Sequence, residues 1–142
     1  MHEALSRCKF DQEIALLTPV FLRSRGWVVN EASFPVLDVT VSSSRPLRIK
    51  LDCQDWDEQP PAALLLEASG QPLAGQVPGG IFHAGPHTNR PGPFVCMRGY
   101  REYHTHANHL ADVWSTYRGQ DGNNIVGLLD QVSRAWRRTY GQ

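Results

Sequence analysis

Two runs of strict apolar and polar alternation dominate the first third of this chain. Residues 36–42 put Leu37, Val39 and Val41 on one face, and residues 47–51 do the same with Leu47, Ile49 and Leu51. A period of two belongs to a strand with one face buried, because successive side chains point to opposite sides of a pleated backbone. Between the runs stand Ser42, Ser43, Ser44, Arg45 and Pro46, whose serines bond local backbone and whose proline fixes φ. So short a connection favours antiparallel neighbours. A further strand is predicted over residues 27–30, turned by Pro35, and another over the apolar run 62–66, which follows a polar turn ending in Pro60 and Pro61. These four make an antiparallel meander.

Helical spacing flanks the meander. Over residues 3–25 Phe10, Ile14, Leu17 and Phe21 recur at intervals of three and four, and Gly26 follows as a stop. Pro19 falls inside that pattern, so a kink or break is expected there. From Asn123 onward Ile125, Leu128, Leu129, Val132 and Trp136 mark one face of a C-terminal helix. Asp121, Asn123 and Asn124 are its candidate caps, and Arg134, Arg137 and Arg138 lie near its negative end. Residues 70–93, rich in glycine and proline, carry no periodic run and read as a long irregular segment of the functional kind. The expectation is a single α+β domain over residues 1–142: N-terminal helix, four-strand meander, active segment, C-terminal helix.

Composition narrows the partners. The formal charge is zero and the arginines are scattered, with Lys9 and Lys50 the two lysines, which argues against a nucleic-acid groove. No apolar stretch is long enough to span a bilayer, and residues 1–10 carry Glu3, Arg7 and Lys9 where a signal peptide would be apolar. Cys8, Cys53 and Cys96 are odd in number and form no Cys-x-x-Cys pair, so the reading is a cytoplasmic protein in a reducing compartment. Neither nucleic acid nor membrane is expected as a partner.

All but one of the histidines lie between His83 and His109, together with Asn89, Cys96, Arg98, Arg101 and Glu102. A thiolate is a strong nucleophile near neutral pH, and arginine and histidine neighbours would favour that form at Cys96. The bland alternative makes Cys96 a small buried hydrophobe after Phe94 and Val95, the role assigned to Cys8 and Cys53. Asn89 has an amide able to meet a developing oxyanion. The spacing His104-x-His106-x-x-His109, with Asp112 beyond, suggests either metal ligands or a solvated helix start and proton relay. Metal sites generally recruit a ligand from a second part of the chain, so the relay is preferred. Neither a metal nor a cofactor is expected.

Three stretches resemble the ubiquitin-conjugating enzyme superfamily. In residues 51–66, Asp-Cys-Gln-Asp-Trp-Asp-Glu-Gln-Pro-Pro before an apolar strand is similar to that family's Tyr-Pro-x-x-Pro-Pro turn, with Trp56 at the tyrosine and Asp57 at the first proline. His87-Thr88-Asn89 through Phe94-Val95-Cys96 is similar to its His-Pro-Asn, glycine-containing loop and catalytic cysteine, with Thr88 for proline. Ile81-Phe82-His83 also resembles the lead-in to that motif, which would leave His87 and Asn89 in an enlarged loop. Residues 114–132, a tryptophan, a polar turn with Gly122 and a helix, are similar to the stretch beyond the active site, and residues 99–112 are then an insertion.

The resemblance implies a UBC-like fold and a carrier that takes a ubiquitin-like protein from an activating enzyme as a Cys96 thioester and passes it to an amine of a protein substrate. Asn89 would be the oxyanion donor, His83 or His87 the motif histidine, and His104, His106 or His109 the proton acceptor. The exposed face of the N-terminal helix would dock the activating enzyme. The degree of divergence is similar to that of bacterial relatives encoded in antiviral defence operons. The competing readings are a catalytically inactive binding module of the same fold, a metal-binding protein built on the histidine cluster, and a small thiol hydrolase pairing Cys96 with a histidine.

Overall fold

The computed structural model of the chain describes residues 2–88, 90 and 92–141. The N-terminal helical pattern is broken where Pro19 falls, giving α1 (Glu3–Ile14) and α2 (Pro19–Arg25). Proline is tolerated at the first turn of a helix, where its missing N–H would have no partner. Thr18 caps α2 by accepting the Phe21 N–H at 3.2 Å, and Gly26 ends it at φ 63°, a left-handed conformation that suits glycine.

The meander is formed by β1 (Trp27–Ser33), β2 (Val36–Val41), β3 (Leu47–Asp52) and β4 (Ala62–Leu66), antiparallel and in sequence order. β1 runs on past the expected residue 30, and its register slips between Val29 and Glu31. The bulge frees Asn30 to donate its amide to Asp38 Oδ1 at 3.1 Å and Thr40 Oγ1 at 2.9 Å. Asp38, nearly fully buried, is also gripped through both oxygens by Arg48. Its lone pairs are thereby satisfied, which is what makes a buried carboxylate tolerable in a strand.

Leu37, Val39, Val41, Leu47, Ile49 and Leu51 are wholly buried, as the alternation predicts, and each contributes about 1.5–3 kcal/mol through burial. They share one core with Ile125, Leu128, Leu129, Val132 and Trp136 of α4 (Ile125–Tyr140). Asn124 is its cap, accepting the Gly127 N–H at 2.6 Å. Two indole N–H groups fix α4 to the sheet side: Trp27 Nε1 donates to Ser133 Oγ at 3.1 Å, and Trp136 Nε1 to the Arg45 carbonyl at 2.7 Å.

Between β4 and α4 the backbone is mostly irregular. The predicted loop 70–93 contains one short strand, β5 (Phe82–His83), paired antiparallel with β6 (Phe94–Val95). After β6 come α3 (Arg101–His104) and two single-turn 3-10 segments, Ala107–His109 and Trp114–Thr116, none of them foreseen from periodicity. Trp114 anchors this stretch to the double-proline turn, its indole N–H donating to the Asp57 carbonyl at 2.7 Å. Lys9 and Arg118 both pair with the Asp57 carboxylate there. Among the described residues no helix is long and apolar enough to cross a membrane. The α+β class, four-strand antiparallel sheet and helices at both ends agree with the expectation.

Candidate functional site

Cys96 stands at the end of β6, where its N–H donates to the Ile81 carbonyl at 2.7 Å. β6 itself is buried through Phe94 and Val95, so the cysteine emerges half-buried from a fixed strand end. Cys8 lies exposed on α1 and Cys53 is buried beyond β3. Burial pushes the Cys53 thiol far up, consistent with a packing role.

The electrostatic surroundings of Cys96 differ from the sequence expectation of a favoured thiolate. Burial raises its thiol above the ordinary value, with no hydrogen bond or charge among the causes. Arg98, the expected supporting cation, is turned away. Its Nε donates to Asp112 Oδ2 at 2.8 Å, and its guanidinium lies 5.0 Å above the Tyr117 ring. A Cys–His pair of the hydrolase type is therefore not assembled among the described residues.

The histidines divide into two groups. His83, His87 and His106 surround Phe94, two residues before the cysteine, at ring separations of 5.2, 5.0 and 6.3 Å. His106 lies 5.8 Å from His87 and 5.6 Å from His109, and His109 stacks on Tyr103 at 4.0 Å. The insertion thus folds back onto the segment ahead of Cys96 through contacts between flat rings. Among the described residues no group of three or more His, Cys, Asp or Glu side chains could hold a metal ion.

His104, one of the three histidines expected as proton acceptor, stands apart from the others, with partners on both ring nitrogens. The Gly99 N–H donates to its Nε2 at 3.0 Å, which leaves Nδ1 to donate to the Asp112 carbonyl at 2.7 Å. Both nitrogens are committed to backbone in one neutral tautomer, and burial lowers its affinity for a second proton. Gly99 makes this clamp possible. Its φ is 96°, and a Cβ there would overlap Leu128 Cδ2 of α4.

Two carboxylates organise the rest. Asp112 accepts from Tyr103 Oη at 2.6 Å, Tyr117 Oη at 2.5 Å and Arg98, and these donors hold it far below the usual carboxylate range. Glu102 is only 2% exposed. Its Oε1 accepts from the Ala63 N–H at 2.8 Å and from Arg90 Nε at 3.0 Å. Burial outweighs the nearby guanidinium and raises the Glu102 pKa. A cavity of about 300 Å³ opens beside it, lined by Asp52, Ala62, Arg90, Arg101, Glu102 and Thr105.

The structure therefore gathers His83, His87 and His106 around Phe94 of the strand that leads to Cys96, places His109 beyond His106, and sets His104 aside. Asn89 lies outside the described residues. Sequence reading gave no role to Tyr103, Tyr117 or Glu102, and considered Asp112 only as a metal ligand. Their signal was weak because the partners come from separate parts of the chain, so that no period links donor to acceptor.

Residues 82–137, from β5 into α4, match the model of a family described as Y4jH-like, the Y4jH family. An uncharacterized protein, y4jH of Sinorhizobium fredii (strain NBRC 101917 / NGR234), is 40% identical over 40 residues. That alignment takes in 28% of this chain and 20% of the relative, so it spans a fifth of that protein's length. The family match covers the cysteine, the insertion and most of the last helix, and leaves out the four-strand meander.

Proposed function

We propose that this chain is a conjugating (carrier) enzyme for a ubiquitin-like protein, with a UBC-like fold and Cys96 as its acyl carrier, acting in the cytoplasm of a bacterium as part of antiviral defence. The observation that carries the reading is the setting of Cys96. It is half-buried at the end of β6, after a helix, a meander, a double-proline turn and an irregular segment in the order the sequence resemblance implies.

In the first step the Cys96 sulfur attacks the thioester carbonyl carbon of the charged activating enzyme. A carbon–sulfur bond to Cys96 forms, the bond to the activating enzyme's cysteine breaks, and that cysteine leaves with a proton as a thiol. In the second step an amine of the protein substrate attacks the same carbon, an amide forms, and Cys96 is released as a thiol. The amine's proton passes to a base. His106 and His109 serve this role better than His104, whose two ring nitrogens are already occupied.

The test is intact mass after incubation with ATP and the activating enzyme and ubiquitin-like protein encoded beside the gene. Wild type is expected to gain a thiol-labile adduct that Cys96→Ala lacks and that Cys96→Ser holds in thiol-resistant form. No adduct with partners proven active by their own adenylation would sink the carrier reading.

The second reading, a catalytically inactive binding module of the same fold, is favoured by one observation: Cys96 is half-buried and burial raises its thiol with no neighbouring charge to oppose it. It predicts that Cys96→Ala binds the ubiquitin-like protein as tightly as wild type and that neither forms a covalent adduct.

A further inference from the structure

We propose that the cleft between the C-terminal ends of α2 and α4 is a binding site for an oligophosphate chain, a site that the carrier reading leaves unused.

The arginines are scattered in sequence, yet the fold brings four of them together. Arg25 ends α2, and Arg134, Arg137 and Arg138 lie in the last two turns of α4. They line one open cleft of about 460 Å³, together with a single acidic side chain, Asp130. That carboxylate is shared: Oδ1 meets Arg25 Nε at 3.2 Å and Oδ2 meets Arg134 Nη2 at 2.6 Å. Arg137 is committed to neutral groups, its Nε donating to the Ser42 carbonyl at 3.0 Å and its Nη2 to the Gly26 carbonyl at 3.2 Å. Burial lowers the Arg137 pKa, and Asp130 offsets only part of that. Arg138 is exposed, and among the described residues its guanidinium has neither a hydrogen bond nor an ion pair.

The helix ends account for part of this charge. Each C-terminus carries the equivalent of about half a negative charge, which cations in the last turn offset. Two such ends and one carboxylate balance about two of the four guanidinium groups, so the cleft keeps roughly two positive charges. A surplus carried on planar, forked donors selects an anion that accepts several N–H bonds at once, which is the chemistry of phosphate.

Size and lining narrow the ligand further. The opening is far larger than one phosphate group, so a chain of phosphates can meet arginines of both helices together. Among the described residues no aromatic or aliphatic side chain lines the cleft, and nothing in it would receive a base or an acyl chain. With a formal charge of zero over the whole chain, the surplus here is local, which favours a compact anion over a nucleic-acid strand.

The experiment is calorimetric titration with inorganic tripolyphosphate at low salt, on wild type, Arg134→Gln, Arg138→Gln and Arg7→Gln. Arg7 is exposed on α1 and does not line the cleft, so its loss reports the effect of net charge alone. Wild type is expected to bind tripolyphosphate and to bind orthophosphate roughly tenfold more weakly. Arg134→Gln and Arg138→Gln should each weaken tripolyphosphate binding by roughly tenfold, and Arg7→Gln by less than about twofold. Both cleft side chains are exposed, so the variants keep the fold, and the urea midpoint without ligand should match wild type. Saturating tripolyphosphate should raise the Tm of wild type and leave that of the Arg134→Gln, Arg138→Gln double variant unmoved. No binding by wild type, or equal weakening in Arg7→Gln and Arg138→Gln, overturns the site. Tighter binding of a polyglutamate peptide or a short single-stranded RNA than of tripolyphosphate, lost in the same variants, also overturns it, since the cleft would then dock a macromolecule.

Discussion

The four-strand meander with α4 and the stretch over residues 81–118 are held by different forces. In the first, burial is continuous: alternate residues of β2 and β3 and one face of α4 are sealed in a single core, and the polar groups follow the backbone ladder. In the second, short elements are joined by side chains that bond one another: Asp112 with Tyr103, Tyr117 and Arg98, His104 with Gly99, and Glu102 with Arg90. An apolar core accepts many sequences of similar volume, whereas a polar cluster specifies one arrangement of irregular backbone. The proposed carrier cysteine stands where the two regimes meet, on a strand buried in the core and ahead of a turn clamped by polar contacts.

The largest expected effect comes from the core. Leu128→Ala removes a wholly buried side chain that also backs Gly99, and it is expected to cost about 3 kcal/mol in urea unfolding. Because the core is shared, amide protection should fall across β2, β3 and α4 together. If protection fell only around Gly99, the frame would not be the single cooperative unit described here.

That frame was largely legible in the sequence, and the reason is periodicity. Leu37, Val39 and Val41 announce a buried face because backbone geometry repeats every two residues, and Ile125, Leu128, Leu129 and Val132 do so at helical spacing. Pro19 marked the helix break because its consequences are local. The extension of β1 past Asn30 was missed because the polar residues of a bulge carry no alternation. The site was legible only in its inventory. His104 and His106 look alike in sequence, yet one is locked between Gly99 and Asp112 and the other packs against Phe94. Glu102 stood in the reactive cluster without a role, since its burial depends on Ala63 in the meander and on Arg90 across the Cys96 strand, and no period links either to it.

Next in size is Glu102→Ala, which leaves the Ala63 N–H and the Arg90 guanidinium without their acceptor. A loss of about 2 kcal/mol is expected, with faster amide exchange over residues 85–105. Glu102→Gln keeps an acceptor for Ala63 and should recover part of that stability. Equal losses in the two variants would mean that the ion pair adds nothing beyond the backbone bond.

A smaller effect separates the regions by pH. Glu13, half-buried where α1 meets the N-terminus of α4, is raised to about 7 by burial, against an ordinary 4.5. Trp56 Nε1 donates to its carboxyl. A carboxyl raised in the folded state contributes stability that is fully present below its unfolded pKa and is lost as pH rises through its folded one. Unfolding free energy should therefore fall by about 1–2 kcal/mol between roughly pH 4.5 and 7 and level off above, after allowance for solvent screening of a half-buried group. Glu13→Gln should remove most of that slope. Glu102, which burial displaces in the same direction, adds to that slope, and His104, lowered by burial, opposes it. An unchanged slope in Glu13→Gln would place the titration elsewhere.

The sharpest separation is expected from the smallest change in stability. Asp112 lies near the surface and gathers three donors, so Asp112→Asn keeps the side chain's shape but turns an amide N–H₂ toward groups that themselves donate. Either Tyr117 or the pair Tyr103 and Arg98 then loses its acceptor, while the Leu128 and Trp136 packing of α4 is untouched. Amide exchange over residues 99–118 should accelerate with α4 unaffected, and the urea midpoint should barely move. The consequence for chemistry is specific. Arg98, no longer paired with a carboxylate, becomes free to approach Cys96, and the rate of thiol alkylation by iodoacetamide should rise, because a nearby cation favours the thiolate. If α4 exchanged faster in step with residues 99–118, the polar region and the apolar frame would be one unit, and the contrast drawn between them would fail.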